Sequence, residues 1–138
     1  MRKTVLAAIA TSMLAVTAVS ADVRREVRFP RGATGVTLEG AVVRADRDIY
    51  RLSARAGQTL RVRVRSVEDN AAVQVYPAGA RYSRADWGWE FHTAAFPGAT
   101  EEDGATAFTA RLPRTGTYLI VVGPSRGNAT YSLAISVR

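Results

Sequence analysis

The sequence predicts an all-β protein folded as an antiparallel β-sandwich of about 8–9 strands. Apolar and polar residues alternate with a period of two along several segments, and helical periodicity is almost absent after residue 21. Turn signals that contain glycine or proline separate these segments at spacings of roughly ten residues, as in sandwiches and small barrels. Because the apolar strand faces need a second sheet to cover them, the pattern favours the sandwich.

The first 21 residues have the pattern of a secretory signal peptide. A basic start, Arg2-Lys3, precedes an apolar run over 5–19, and small residues end at Ala21, after which we predict cleavage. A membrane anchor is the alternative, because the uncharged stretch is about long enough to span a bilayer. Its alanine, serine and threonine content is weakly hydrophobic, however, so we predict cleavage and no stable membrane insertion of the mature chain.

The remaining residues, 22–138, describe a single domain without cysteine and therefore without disulfide bonds. The formal net charge is +7, and loss of Arg2 and Lys3 with the signal peptide lowers it to +5. All remaining basic residues are arginines, and they alternate with apolar residues instead of forming one block. This arrangement favours a solvated sheet face over a polyanion site, and we predict no nucleic-acid partner.

Four strands are predicted in the first half of the domain. Residues 60–65 alternate strictly between apolar side chains and arginines, so this strand has one buried face and one wet face. The turn 56–58, Ala-Gly-Gln, separates it from the preceding strand. The other three strands, delimited by similar signals, cover residues 23–29, 36–43 and 49–55.

The second half begins with a short strand, 72–76, that ends at a proline. From residue 80 to 104 the alternation weakens, and we predict one irregular strand over 87–93 followed by a long exposed loop. Trp87, Trp89 and Phe91 share one parity in that strand, so we favour their burial in the core. The alternative is an exposed aromatic platform that stacks on sugar rings or contacts a partner protein.

Residues 109–138 predict three consecutive antiparallel strands joined by two tight turns. The first strand continues the alternation of residues 108–112, and the second, 118–122, is apolar on both faces and therefore predicted to be central. The last strand directs four residues inward, namely Tyr131, Leu133, Ile135 and Val137. The second turn, 123–128, holds one arginine, Arg126, between glycines and a proline that restrict the backbone.

Candidate catalytic and metal-binding residues are few. His92 is the single histidine and cysteine is absent, which excludes histidine-rich and thiolate metal sites. No nucleophile elbow lies near His92. The acidic cluster 101–103 lacks the alternating ligand spacing of a calcium loop, so a solvated turn is favoured. We predict no catalytic residue, no metal site and no cofactor, and a protein that is not an enzyme.

Two segments carry a family resemblance. Residues 50–60, Tyr-Arg-Leu-Ser-Ala-Arg-Ala-Gly-Gln-Thr-Leu, and 112–122, Leu-Pro-Arg-Thr-Gly-Thr-Tyr-Leu-Ile-Val-Val, precede a final Tyr-x-Leu strand. This pattern resembles the periplasmic inhibitors of g-type lysozyme, and similar strings occur in the pre-peptidase C-terminal β-sandwich domains of bacterial secreted enzymes. The resemblance covers about residues 27–137.

The resemblance implies a periplasmic β-sandwich that plugs the cleft of a lysozyme, with the g-type favoured as protein partner. It also implies that polar and arginine side chains on loops at one end make the inhibitory contacts. On this basis Arg126 and Ser125 are the expected partner-binding residues, and Tyr50 is a third.

Two other functions remain open. The chain could be a non-catalytic module that binds glycans or cell-envelope polymers, for which Trp87 and Trp89 would be exposed and coplanar. It could also be an envelope protein whose basic sheet face contacts anionic lipid or polysaccharide through Arg61, Arg63 and Arg65. The sequence carries no signal for the oligomeric state.

Overall fold

A computed structural model describes residues 24–138 and shows ten strands. No helix occurs in this range, and hence none that could cross a membrane. The expected signal peptide, residues 1–21, lies outside the described residues. The strands are β1 (Arg24–Glu26), β2 (Gly35–Val42), β3 (Asp48–Ala54), β4 (Thr59–Ser66), β5 (Ala71–Tyr76), β6 (Tyr82–Ala85), β7 (Gly88–Phe91), β8 (Ala107–Arg111), β9 (Gly116–Pro124) and β10 (Ala129–Val137).

Two four-stranded sheets form the sandwich, and a two-stranded hairpin is added to it. Sheet A has the order β1-β3-β9-β5, sheet B has the order β2-β10-β4-β8, and β6 pairs with β7. All pairings are antiparallel except that of β1 with β3, which is parallel. The predicted all-β sandwich is therefore confirmed, with ten strands in place of eight or nine.

Consecutive strands of the two large sheets never pair with each other. The chain passes to the opposite sheet at every step from β1 to β5 and again from β8 to β10. The predicted three-stranded meander over residues 109–138 is therefore wrong, because β8 and β10 flank β4 in sheet B while β9 lies in sheet A. The alternation of apolar and polar residues indicates which face of a strand is buried. It does not indicate which sheet the strand joins, because the same face would be buried in either sheet.

The core between the two sheets contains the side chains that the alternating sequence pattern predicts to be buried. On β4 and β10 the inward apolar side chains are all buried: Leu60, Val62, Val64, Ala129, Tyr131, Leu133, Ile135 and Val137. They face inward residues of sheet A, including Leu52, Val73, Val75 and Ile120. Burial of these two faces against each other is the main stabilisation available to a domain without disulfides.

A second apolar cluster covers the outer face of sheet A. Ile49, Leu119 and Val121 are buried there beneath the β6–β7 hairpin, whose Trp89 and Phe91 pack against them. This cover explains why β9 is apolar on both faces. The predicted central position of this strand is confirmed, because β9 lies between β3 and β5.

Residues 80–104 differ from their prediction of one irregular strand and an exposed loop. They form the β6–β7 hairpin and then a segment that packs on the sandwich, in which Ala99 is buried and the ring of Phe96 lies 6.2 Å from that of Tyr118. Backbone hydrogen bonds from this segment also reach Val75, so the edge of β5 is covered.

The predicted burial of the three aromatic residues in the core is also wrong. Trp89 and Phe91 belong to the cluster outside sheet A, and Trp87, in the connection between β6 and β7, is 74% exposed. Shared parity would place all three on one face only if the strand began before Trp87, and β7 begins at Gly88.

A buried polar network connects the two sheets across the core. The Tyr131 hydroxyl on β10 donates to Asp48 Oδ2 on β3, and it lies 2.5 Å from the Tyr50 hydroxyl. Burial raises the pKa of both phenols, and the hydrogen bond to Asp48 raises that of Tyr131 further. Gly40 provides the space, because a Cβ there would lie 2.4 Å from the Tyr131 hydroxyl oxygen.

We expect Tyr131→Phe to lower the free energy of unfolding by about 1–3 kcal/mol, because the buried Asp48 oxygen and the Tyr50 hydroxyl each lose the hydrogen bond to this phenol. Denaturant unfolding measures the change. Tyr82→Phe is the matched control, since this half-buried phenol makes no hydrogen bond within residues 24–138, and its effect should stay within about 0.5 kcal/mol. Equal losses in the two variants would contradict a stabilising role for the network.

Candidate partner-binding surface

Three connections between the sheets meet at one end of the sandwich. They are residues 43–47 between β2 and β3, 67–70 between β4 and β5, and 125–128 between β9 and β10. Strand register brings them together, since Ala129 pairs with Val42 and Ala71 pairs with Pro124. We call these three connections the arginine end, because they carry Arg44, Arg47 and Arg126.

Asn70 determines the conformation of the 125–128 connection. Its side chain is buried, and its Nδ2 donates to the carbonyl oxygens of Arg126 and Asn128 at 3.1 and 2.8 Å. Its backbone oxygen accepts a hydrogen bond from the Ser125 amide at 2.8 Å. The sequence analysis did not select Asn70. The sequence feature that could have identified it is an amide side chain at the end of a polar turn, shortly before a predicted apolar strand.

Arg126 and Ser125 lie together on this connection, and both are exposed. Arg126 Nη2 donates to the backbone oxygen of Glu68. The other guanidinium N–H groups make no hydrogen bond to the part of the chain that the structure describes. The side chain is therefore anchored at one nitrogen and retains donors for an external acceptor.

The other two arginines differ in their freedom. Arg47 crosses the backbone of Gly123, where a Cβ would lie 2.7 Å from Arg47 Cδ, and its Nη2 lies 3.2 Å from Glu101 Oε1. Arg44 is exposed, and its backbone amide donates to Asn128 Oδ1 at 2.9 Å. Together with Ser125 and Arg126, these two arginines line one open cleft.

Two strained residues also lie at the arginine end. Ala45 and Asp69, with φ of 70° and 52°, are the non-glycine residues with positive φ among residues 24–138. A left-handed conformation costs roughly 1–2 kcal/mol for a residue such as alanine, whereas aspartate adopts it more readily. Such strain is concentrated at functional sites in proteins, where surrounding contacts maintain it.

Tyr50 does not belong to this surface. Its side chain is 1% exposed and its hydroxyl lies in the network with Tyr131, so the free domain does not present Tyr50 at its surface, and a partner contact of Tyr50 stays a prediction. The physical reason is its position within β3, where its parity directs it between the sheets.

The residues considered for catalysis or metal binding have other partners. His92 Nε2 lies 2.7 Å from Ser83 Oγ on the exposed hairpin, and no carboxylate hydrogen-bonds this histidine in the described range. The Asp103 carboxylate accepts hydrogen bonds from the Thr100 amide and hydroxyl, which lower its pKa. Residues 24–138 contain no group of three or more histidine and acidic side chains that could hold a metal.

No protein-family model matches this sequence, and no curated protein matches it. The fold is similar to the crystal structure of Aeromonas hydrophila PliG, a periplasmic lysozyme inhibitor of g-type lysozyme, with a TM-score of 0.64. The two are 30% identical, and the match covers 84% of this chain and 96% of that chain. This chain belongs to the PliG family.

Two further solved structures share the fold of this PliG-family chain. Salmonella Typhimurium PliG is 22% identical with a TM-score of 0.59, and an Escherichia coli PliG mutant is 19% identical with a TM-score of 0.60. Each match covers 86% of this chain and 100% of the other. The family resemblance carried by residues 50–60 and 112–122 is therefore confirmed.

We expect Asn70→Ala to lower the free energy of unfolding by about 1–3 kcal/mol, because two carbonyl oxygens of the 125–128 connection lose their donor. Amide exchange over 125–128 should accelerate in this PliG-family protein more than exchange in the core strands. Ser125→Ala is the control, because its side chain is exposed and a change within about 0.5 kcal/mol is expected. Unchanged exchange in Asn70→Ala would show that the connection is ordered without this amide.

Proposed function

We propose that this protein is a periplasmic, non-catalytic inhibitor of g-type lysozyme. In this proposal the signal peptide is removed near Ala21, and the arginine end of the mature domain enters the enzyme cleft. The main support is the exposed Arg126 on a connection fixed by Asn70, in a chain that belongs to the PliG family. Arg126 and Ser125 are the proposed contact residues.

The chemistry of the two surfaces is complementary. A lysozyme cleft contains an essential carboxyl group. A guanidinium presents a planar set of donors that can bind a carboxylate at two oxygens, and such charge-assisted bonds are stronger than neutral ones. Binding of this kind would occupy the cleft and exclude the glycan substrate.

The rigidity of the 125–128 connection supports the same function. Asn70 donates two hydrogen bonds and accepts one from the Ser125 amide, and these bonds, together with the anchor from Arg126 to Glu68, order the connection in the free protein. A loop that is ordered before binding loses less conformational entropy when it binds.

We expect Arg126→Ala to weaken inhibition of g-type lysozyme by about tenfold or more, since arginine hot spots contribute at least about 1.4 kcal/mol. The thermal unfolding midpoint should change little, because the side chain is exposed. Inhibition constants for g-type, c-type and i-type lysozymes measure both potency and class.

Arg31→Ala is the charge-matched control, because Arg31 is exposed on the connection between β1 and β2, outside the arginine end. Its inhibition constant should equal that of the wild type. A protein that inhibits none of the three lysozyme classes would disprove the proposed function. A loss of stability in Arg126→Ala that matches its loss of potency would make the residue structural.

A second function, binding of acidic glycans, is favoured by the outer face of sheet B. Three exposed arginines project from β4 at intervals of about 7 Å, the repeat of alternate strand residues, and none forms an ion pair within residues 24–138. Their cross-strand neighbours are small and uncharged: Ser132, Ala134, Ser136, Ala107 and Thr109. The face is a shallow trough with uncovered positive charge, which suits an extended polyanion.

Glycan binding through an exposed platform of aromatic side chains has less support. Trp89 is partly buried on sheet A, and the guanidinium groups of Arg24 and Arg84 lie over its ring at 4.6 and 5.2 Å. Trp87 and Trp89 therefore do not form a shared open platform for sugar rings.

We expect the triple substitution of Arg61, Arg63 and Arg65 by glutamine to weaken binding to an acidic polysaccharide by roughly a hundredfold, at about 1 kcal/mol for each arginine near an anionic surface. Binding of the wild type should fall steeply as salt is added. The control with the same charge change replaces Arg28, Arg31 and Arg81, which are exposed elsewhere. Equal weakening in both triple variants would indicate net charge alone and would reject a site on sheet B.

A further inference from the structure

Two large hydrophobic side chains are exposed among residues 24–138, and both lie beside the arginines. Val67 is 93% exposed and belongs to the 67–70 connection of the arginine end. Trp87 is 74% exposed at the tip of the β6–β7 hairpin. All other large apolar residues of this range are at least partly buried.

The hairpin tip lies beside the arginine end. Gly88, with φ of 136°, lies next to the 43–47 connection, since a Cβ there would be at ordinary van der Waals distance, 3.6 Å, from the Ala45 carbonyl oxygen. The adjacent Arg44 amide is bonded to Asn128. Trp87 immediately precedes Gly88 in the chain and is therefore next to the arginine end.

A further hydrogen bond connects the 125–128 connection to the segment that contains Val67. Arg126, two residues before Asn128, donates to the backbone oxygen of Glu68, and Val67 precedes Glu68. The segments that carry Trp87, the two exposed arginines and Val67 are thus neighbours in this order, joined through Ala45, Asn128 and Glu68. The connections that carry the arginines therefore lie between the hairpin tip and the 67–70 connection.

Local folding requirements do not explain these two side chains. Two-residue hairpin connections favour glycine, asparagine and aspartate, and a tryptophan gains nothing there. Turns likewise disfavour β-branched residues such as valine, whose backbone preference is extended. An apolar side chain exposed to water becomes favourable when a partner covers it, and tryptophan and arginine are enriched in the residues that dominate interface energies.

We propose that Trp87 and Val67 are apolar anchors on either side of the arginines, and that they occupy two apolar subsites flanking an acidic group in the partner's cleft. This inference rests on the proposed function, because the partner is taken to be a lysozyme. A glycan-binding cleft has suitable chemistry, since sugar rings are bound by apolar surfaces next to the catalytic carboxyl group. Trp87 contributes more of the binding free energy than Val67, because its indole offers the larger rigid apolar surface.

Calorimetric binding of the mature protein to g-type lysozyme tests the inference. We expect Trp87→Ala to raise Kd by about tenfold or more and Val67→Ala by about threefold, as expected for a large and a small apolar anchor. Unfolding midpoints should stay close to wild type, because both side chains are exposed. Asp86→Ser is the matched control, because it alters the same connection without removing apolar surface, and its Kd should be unchanged.

The outcomes separate the two proposals. Wild-type affinity in both Trp87→Ala and Val67→Ala, with weakened binding in Arg126→Ala, would overturn the anchors and leave the inhibitor function in place. Absence of wild-type binding to any lysozyme would overturn both. Concentration-dependent self-association that Trp87→Ala abolishes, without an effect on lysozyme affinity, would assign the apolar surface to a second copy of the chain and also overturn the inference.

Discussion

The fold depends on one constraint, namely that successive strands of the two large sheets lie on opposite sides of the core. Because no consecutive strands pair within these sheets, neither sheet can form from a local hairpin, and each needs segments from distant parts of the chain. The two sheets are also connected by the hydrogen bonds of Tyr131 with Asp48 and Tyr50. Burial of apolar faces and satisfaction of these polar groups therefore occur together, as a domain without disulfides requires.

The same constraint creates the candidate functional surface. Connections that cross between sheets collect at the ends of a sandwich, and three of them meet at the arginine end. A tight hairpin would be ordered by its own strand ladder, whereas the 125–128 connection is ordered by the buried side chain of Asn70 from a neighbouring connection. The loop that presents Arg126 is thus held by a neighbouring connection and not by its own sequence alone, and this places an exposed guanidinium on an ordered backbone.

Departures from the general rules of folding are concentrated at this end. Positive φ at Ala45 and Asp69, exposed apolar surface at Val67 and Trp87, and closely spaced arginines each work against stability when considered alone. Elsewhere the strands follow local rules closely, with alternating burial and turns that contain glycine. In natural proteins, local conflicts of this kind are expected at functional sites, where binding and not folding has selected the residues.

The sequence by itself determined the all-β class, the family resemblance, the buried face of β4 and β10, and the exposure of Arg126 and Ser125 on a short connection. Each depends on side-chain direction along one strand or on turn chemistry, which are local properties. Only the tertiary structure decided that β9 and β10 lie in different sheets, that Tyr50 is buried, that Asn70 orders the loop, and that the β6–β7 hairpin tip lies next to the 43–47 connection. These features depend on which distant strand faces bury each other most completely. The alternation of residues along one strand does not identify the strand that pairs with it.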